Sequence, residues 1–113
     1  MIANNKVKIE VVRVACELFE VTQTEFFSTS RDNKVMAVRR MVSAWLHEYY
    51  GMDVEEIAQV TKRIKPFIIH QIFNNQKMCE RDPNYREMYE LFVKTIAQNG
   101  ICRESNGDTT VQE

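Results

Sequence analysis

Apolar residues recur at spacings of three and four along almost the whole of this 113-residue chain, which is the spacing of one face of an α-helix. A β-strand would require alternation with a period of two. Only three glycines and two prolines are present, so the chain has little material for the tight turns of a sheet. The pattern therefore predicts an all-α fold.

Helix start and stop signals divide this pattern into about six helices. Two capping boxes, Thr22–Glu25 and Asp53–Glu56, mark helix starts. A third start is marked by the capping residue Asp82 followed by Pro83. Gly51 is expected to end the third helix. We predict helices over about residues 5–20, 22–27, 35–50, 53–60, 66–80 and 83–99. Residues 1–100 would form one compact helical domain, and the polar residues 101–113 are predicted to be disordered.

Hydrophobic spacing also predicts which faces are buried. On the fifth helix, the predicted buried face consists of Ile68, Ile69, Ile72 and Phe73. Aromatic residues at helical spacing are expected in the core: Trp45, Tyr49, Phe73, Tyr89 and Phe92. Phe67 falls in the first turn of the fifth helix, where packing under the preceding helix is the favoured interpretation. Contact with a thymine methyl group and a place in a protein-binding patch stay open for this residue.

The formal net charge of −1 conceals an uneven distribution. Residues 31–77 hold eight basic side chains against five acidic ones, whereas the segments on either side are both acidic on balance. The middle of the chain is therefore locally basic, which favours a small basic surface over a uniformly basic coat.

Catalytic and metal-binding patterns are not found in the sequence. His47 and His70 are the only histidines and lie on different predicted helices, so we expect no metal, no cofactor and no enzymatic activity. Cys16, Cys79 and Cys102 have neither disulfide-framework nor zinc-site spacing. No apolar stretch approaches the length of a membrane span, and no signal-peptide core is found near the N-terminus. We expect a cytoplasmic, nucleoid-associated protein.

The segment from about residue 53 to 80 has the proportions of a helix-turn-helix. A short helix, a turn over 61–65 and a longer helix follow one another, and Lys62, Arg63 and Lys65 are concentrated in the turn and at the start of the second helix. In a DNA-binding helix-turn-helix, the N-terminal residues of the second helix meet the base edges. These basic residues therefore lie where phosphate or base contacts would form.

The chain from about Val12 to Ala97 resembles the C-terminal DNA-binding domain of the bacterial replication initiator DnaA. The similarity runs through three stretches: VACELFEVTQTEFFSTSR, VMAVRRMVSAWLHEYYGMDVEEIAQV and TKRIKPFIIH. The last stretch stands at the family's G-G-R-D-H-T-T-V-L-H run, in which Arg63 and His70 match. The resemblance implies a Trp-repressor-like helical bundle that binds duplex DNA in replication, its regulation or transcription. It is compatible with a protein encoded by a phage or mobile element.

Several departures from the family pattern alter what the resemblance implies. Ile64, Lys65, Pro66 and Phe67 replace the Asp-His-Thr-Thr residues that read bases, so recognition of the initiator's own box is not expected. Ala37 stands at the position of the family's minor-groove arginine.

Other differences concern the turn and the basic loop. Arg39 is retained and Arg40 is next to it, so backbone phosphate contacts stay plausible. Thr61 and Lys62 replace two glycines, so the turn must form without residues that adopt positive φ freely.

Two functions remain open. In the first, the domain binds double-stranded DNA through the following residues: Lys34, Arg39, Arg40, Lys62, Arg63, Lys65, Phe67 and His70. In the second, a degenerate helix-turn-helix domain acts as a protein–protein interaction module, docking through Phe67 and the acidic final helix. A homodimer is compatible with either function.

Overall fold

Six helices and their connections account for residues 5–100, the part of the chain that the computed structural model describes. In chain order the helices are α1 (Asn5–Phe19), α2 (Gln23–Phe26), α3 (Asn33–Glu48), α4 (Val54–Thr61), α5 (Lys65–Arg81) and α6 (Pro83–Gln98). No strand occurs within residues 5–100. The predicted all-α class and the number of helices are confirmed, whereas the prediction for residues 101–113 lies outside the described residues.

Two of the predicted helix starts are formed as the sequence indicates. The Thr22 hydroxyl accepts the Glu25 backbone N–H over 3.0 Å, and the Glu25 carboxylate accepts the Thr22 backbone N–H over 3.0 Å. At α6, the Asp82 carboxylate accepts the backbone N–H groups of Asn84 and Tyr85. Each cap satisfies backbone donors that have no partner within the helix.

The start of α4 differs from the predicted capping box. Asp53 is the N-cap, and its carboxylate accepts the Glu55 backbone N–H over 3.2 Å. The Glu56 carboxylate instead forms a 3.4 Å ion pair with Lys8 of α1. Spacing alone predicted a reciprocal cap, but a tertiary contact provides the partner of Glu56.

Helix α3 lies at the centre of the fold and contacts each of the other five helices. Its buried residues occur on almost every side of the helix: Val35, Val38, Arg39, Met41, Val42, Ser43, Ala44, Trp45 and Leu46. A helix that is buried nearly all round forms the core on which amphipathic helices pack. None of the described helices is long and apolar enough to cross a membrane.

The orientation of α5 about its own axis corrects the predicted buried face. Ile68 is fully buried and Ile72 is partly buried, as predicted, but Ile69 is 50% exposed and Phe73 is 54% exposed. The polar residues Gln71 and Asn75, together with Ile68, are the buried residues of this helix. Since successive residues are about 100° apart on a helix, burial of the 68–71–75 row turns the 69–73 row towards solvent.

Hydrogen bonds explain why polar side chains occupy the buried face of α5. The Ser43 hydroxyl of α3 donates to Gln71 Oε1 over 2.8 Å, and the Tyr85 hydroxyl of α6 donates to Asn75 Oδ1 over 2.6 Å. A buried amide without a partner is costly, so these bonds make the polar face of α5 compatible with the core. Hydrophobic periodicity does not detect such pairs.

Of the aromatic residues predicted for the core, some are buried and others are exposed. Trp45, Tyr89 and Phe92 are buried, but Tyr49 is partly exposed at the end of α3. Tyr49 stacks on Trp45 with ring centroids 6.3 Å apart. It therefore covers the edge of the core rather than filling it.

Candidate functional site

The connection between α4 and α5 is closed without a glycine. Lys62 adopts the left-handed conformation (φ 60°, ψ 44°), and the Arg63 backbone N–H donates to the Ala58 carbonyl over 2.9 Å. The buried Thr61 hydroxyl donates to the Ile57 carbonyl over 2.9 Å. Lys62 thus adopts the left-handed backbone conformation at a position where glycine is usual. A residue with a Cβ atom is less stable than glycine in this conformation.

Helix α5 begins one residue earlier than predicted, with Ile64 as N-cap and Lys65 as its first residue. Ile64 provides no side-chain capping hydrogen bond and is 70% exposed. Pro66 occupies a first-turn position, where its lack of an N–H costs no intrahelical bond. The start of α5 therefore has no side-chain cap and exposes the apolar Ile64 to solvent.

Three predicted DNA-binding residues are exposed at this end of the α4–α5 pair. The Lys62 ammonium lies 5.2 Å from the centroid of the Phe27 ring, and the Lys65 ammonium lies 3.9 Å from the Glu55 carboxylate. His70 is exposed on the second turn of α5. Such exposed contacts contribute little to stability, so these side chains can change partners at low cost.

Arg39 is not on this exposed surface. Only 5% of it is accessible, and its Nε donates to the Phe26 carbonyl over 2.8 Å and its Nη1 to the Ser30 carbonyl over 2.7 Å. Its Nη2 donates to the carbonyls of Glu25 (2.9 Å) and Ser28 (2.7 Å). The guanidinium therefore holds the segment between α2 and α3, and a phosphate contact by Arg39 stays a prediction.

Arg63 anchors the same segment from the α4–α5 connection. Its Nη2 donates to the Ser28 carbonyl that Arg39 also contacts. Burial, and then the nearby Arg63 charge, lower the pKa of Arg39 below its usual value. Two guanidinium groups therefore converge on one loop.

A cavity of about 280 Å³ lies at this convergence. Arg31, Arg39 and Arg63 border it together with Phe67 and other residues of the loop and α3. Phe67 forms part of the wall with 36% of its surface exposed, and it borders residues of the α2–α3 loop and α3 and not the preceding helix α4, under which packing was expected. Arg31 is not identified by sequence reasoning, because its place depends on how the loop folds against α5.

The remaining predicted residues are not at this cavity. Arg40 turns towards α6, where its Nε donates to the Tyr85 hydroxyl over 3.0 Å and its guanidinium lies 5.1 Å from the ring centroid. Lys34 is exposed in the first turn of α3. The predicted backbone clamp of Lys34, Arg39 and Arg40 is therefore not assembled as one group.

Potential metal ligands are not clustered in the described part of the chain. Among residues 5–100, no group of three or more His, Cys, Asp or Glu side chains is placed to hold a metal ion. Cys16 is buried in the core, where burial raises the pKa of its thiol to about 11. The chemistry available at the candidate site is therefore that of cationic and apolar side chains.

Comparisons with known proteins do not assign this chain to a family. No protein-family model matches it, and no curated protein shows significant similarity to it.

Proposed function

We propose that this chain binds double-stranded DNA, with α4 and α5 acting as a helix-turn-helix and the start of α5 in the major groove. The observation that carries the proposal is the charge of residues 62–77. These residues include four lysines and arginines and no aspartate or glutamate, in a chain that has 16 acidic residues. The segment comprises the α4–α5 connection and most of α5, the parts of a helix-turn-helix that face DNA.

The exposed side chains of this segment are of the types that contact the phosphate backbone and the base edges of DNA. Lys62, Lys65 and His70 are exposed and can approach backbone phosphates or guanine edges. Ile69 and Phe73 are exposed on the same helix and offer apolar contact to thymine methyl groups. The resemblance to the DnaA C-terminal domain supports the same orientation of the helix pair.

The test is a fluorescence anisotropy titration of the chain against a labelled random-sequence duplex. We expect binding that weakens steeply when salt is raised from about 50 to about 200 mM, because phosphate contacts release counterions. Lys65→Ala should weaken binding and reduce the salt slope by about 0.9, the value for one phosphate contact.

Lys94→Ala is the matched control, since it removes the same charge from an exposed position on α6. This variant should bind as the unmodified chain does. Absence of duplex binding at about 50 mM salt would contradict the proposal, because phosphate attraction is strongest at low salt. If duplex binding is found, selection from a random library would identify any preferred sequence.

A second candidate function, protein–protein interaction, is favoured by the apolar surface of α5. Ile64, Ile69 and Phe73 are each at least half exposed, and exposed clusters of large apolar side chains mark interaction sites. Aromatic residues such as Phe73 are enriched at the centres of protein interfaces.

Sedimentation of the free chain tests the simplest form of this alternative, association with a second copy. If α5 forms that interface, Phe73→Ser should shift the association to higher concentration. Ile9→Ser is the control, because Ile9 is an exposed apolar residue of α1, outside both α5 and the final helix. Equal effects of the two substitutions, or a monomer at all concentrations, would count against self-association through α5.

A further inference from the structure

The cavity between the α2–α3 loop and the start of α5 has an unbalanced charge. Arg31, Arg39 and Arg63 all border it, and no carboxylate of the described residues lies within ion-pair distance of any of them. The nearest acidic residues in sequence have other roles: Asp32 caps α3, and Glu25 caps α2. Three positive charges therefore share one cavity without a counterion from residues 5–100.

The three arginines differ in how many of their donors are used. Arg39 directs Nε, Nη1 and Nη2 at backbone carbonyls and is buried. Arg63 uses only Nη2, on the Ser28 carbonyl, and Arg31 is exposed with no hydrogen bond to any described residue. Carbonyl dipoles satisfy the donors of Arg39 but do not cancel its charge. Arg31 and the Nε and Nη1 groups of Arg63 thus retain donors for an anion.

Guanidinium groups bind oxyanions such as phosphate through two parallel hydrogen bonds. The position of the cavity favours a phosphate that belongs to DNA, because Phe67 in its wall lies in the first turn of α5. When a recognition helix enters a major groove, the strand backbones pass beside it, and phosphate contacts fix the register of the protein.

We propose that this cavity binds one backbone phosphate of duplex DNA, held by Arg31 and Arg63 above the fixed charge of Arg39. The proposal rests on the proposed function, and it adds a particular anchoring point beside the helix in the groove. Arg39 acts as a positioning residue, because its bonds to the 25–30 segment hold the loop that carries Arg31.

Two measurements on the full chain test this site. The first follows the arginine side-chain Nε–H signals by NMR during titration with dimethyl phosphate, a phosphodiester without a base. The Arg63 signal should shift in the unmodified chain and in Arg81→Gln, and the shift should be lost in Arg31→Gln. Arg81 is the matched control because it is an exposed arginine at the far end of α5.

The second measurement is the salt dependence of duplex binding by the same variants. Arg31→Gln should reduce the slope of log K against log salt by about 0.9, and Arg81→Gln should leave the slope unchanged. Duplex binding that responds equally to Arg31→Gln and Arg81→Gln would overturn the phosphate site while leaving DNA binding intact.

Other outcomes separate the two proposals further. Absence of duplex binding together with a shift from dimethyl phosphate would overturn both DNA binding and the assignment of the cavity to DNA, and would identify a site for a free phosphate compound. An equal or larger shift with acetate would overturn the phosphate assignment and indicate a carboxylate ligand, such as an acidic peptide.

Discussion

The Tyr85 hydroxyl donates a 2.6 Å hydrogen bond to Asn75 Oδ1, and the same hydroxyl accepts the Nε–H of Arg40 over 3.0 Å. One phenol thereby joins α3, α5 and α6. Burial raises the pKa of Tyr85 to about 12, against the opposing effect of Arg40, so the hydroxyl keeps its proton as a donor. This chain of polar contacts helps set the rotation of α5 and the identity of its exposed face.

Tyr85→Phe should lower the free energy of unfolding by about 1–3 kcal/mol, because it leaves the buried Asn75 oxygen without its donor. Urea unfolding measures the effect. Tyr49→Phe removes a hydroxyl from a partly exposed ring and should change stability by no more than about 0.5 kcal/mol. Equal losses for the two substitutions would contradict the structural role of the Tyr85 hydroxyl.

Adjacent isoleucines test the orientation of α5 directly. Ile68→Ala should cost about 2–5 kcal/mol because Ile68 is fully buried, whereas Ile69→Ala should cost less than about 1 kcal/mol. Both substitutions place the same residue in the same helix, so helix propensity cancels in the comparison. A larger loss of unfolding free energy for Ile69→Ala than for Ile68→Ala would contradict this orientation and support the buried face predicted from periodicity.

Lys62 tests the glycine-free turn. Lys62 has a positive φ, which a residue with a Cβ atom disfavours. The Lys62→Gly variant should therefore be more stable than the Lys62→Ala variant by about 1 kcal/mol. Both variants lose the contact with Phe27, so that contact does not enter the difference. At Lys94, inside α6, the order should reverse, with glycine about 1 kcal/mol less stable than alanine. Thermal or urea unfolding of the four variants would reveal either order.

Arg39→Lys preserves the charge but not the geometry of the buried guanidinium. A lysine cannot reproduce the planar set of donors that reaches four carbonyls, so we expect a loss of about 2–3 kcal/mol in unfolding free energy. Hydrogen exchange should also accelerate in the 25–30 segment. Arg31→Lys, at an exposed position, is the control and should leave both measurements nearly unchanged. Wild-type exchange in Arg39→Lys would argue against the positioning role.

The raised pKa of the buried Cys16 thiol should lower the free energy of unfolding at alkaline pH. Burial raises the pKa of its thiol from 9.0 to about 11, so the unfolded chain loses this proton at lower pH than the folded chain. The contribution of Cys16 is complete below pH 9 and falls as the pH rises towards 11. Urea unfolding between about pH 8 and pH 10 should show a smaller decline for Cys16→Ala than for the unmodified chain. Parallel declines would show that Cys16 does not contribute.

Local signals in the sequence identify most helix boundaries. Thr22, Asp53 and Asp82 cap the helices that follow them, because a cap depends on bonds to backbone groups only two or three residues away. The partner of Glu56 was predicted incorrectly for the opposite reason, since Lys8 is far away in sequence.

The candidate site was predictable only in part. Lys62, Lys65 and His70 lie on exposed surface near the predicted turn, because a turn and a helix start are local features. The burial of Arg39 and the convergence of Arg31 with Arg63 depend on carbonyls of a loop that folds back between distant helices. No spacing rule in the sequence encodes that arrangement.

The sequence by itself determined the helical class, the number of helices and the concentration of positive charge in residues 62–77, because each follows from local spacing and composition. Tertiary structure decided which face of α5 is exposed and which arginines retain unused hydrogen-bond donors. Both outcomes depend on buried polar partners, Ser43 and Tyr85 for α5 and the Ser28 carbonyl for the arginines. Such hydrogen bonds offset the cost of burying polar groups, and they form only when distant segments meet.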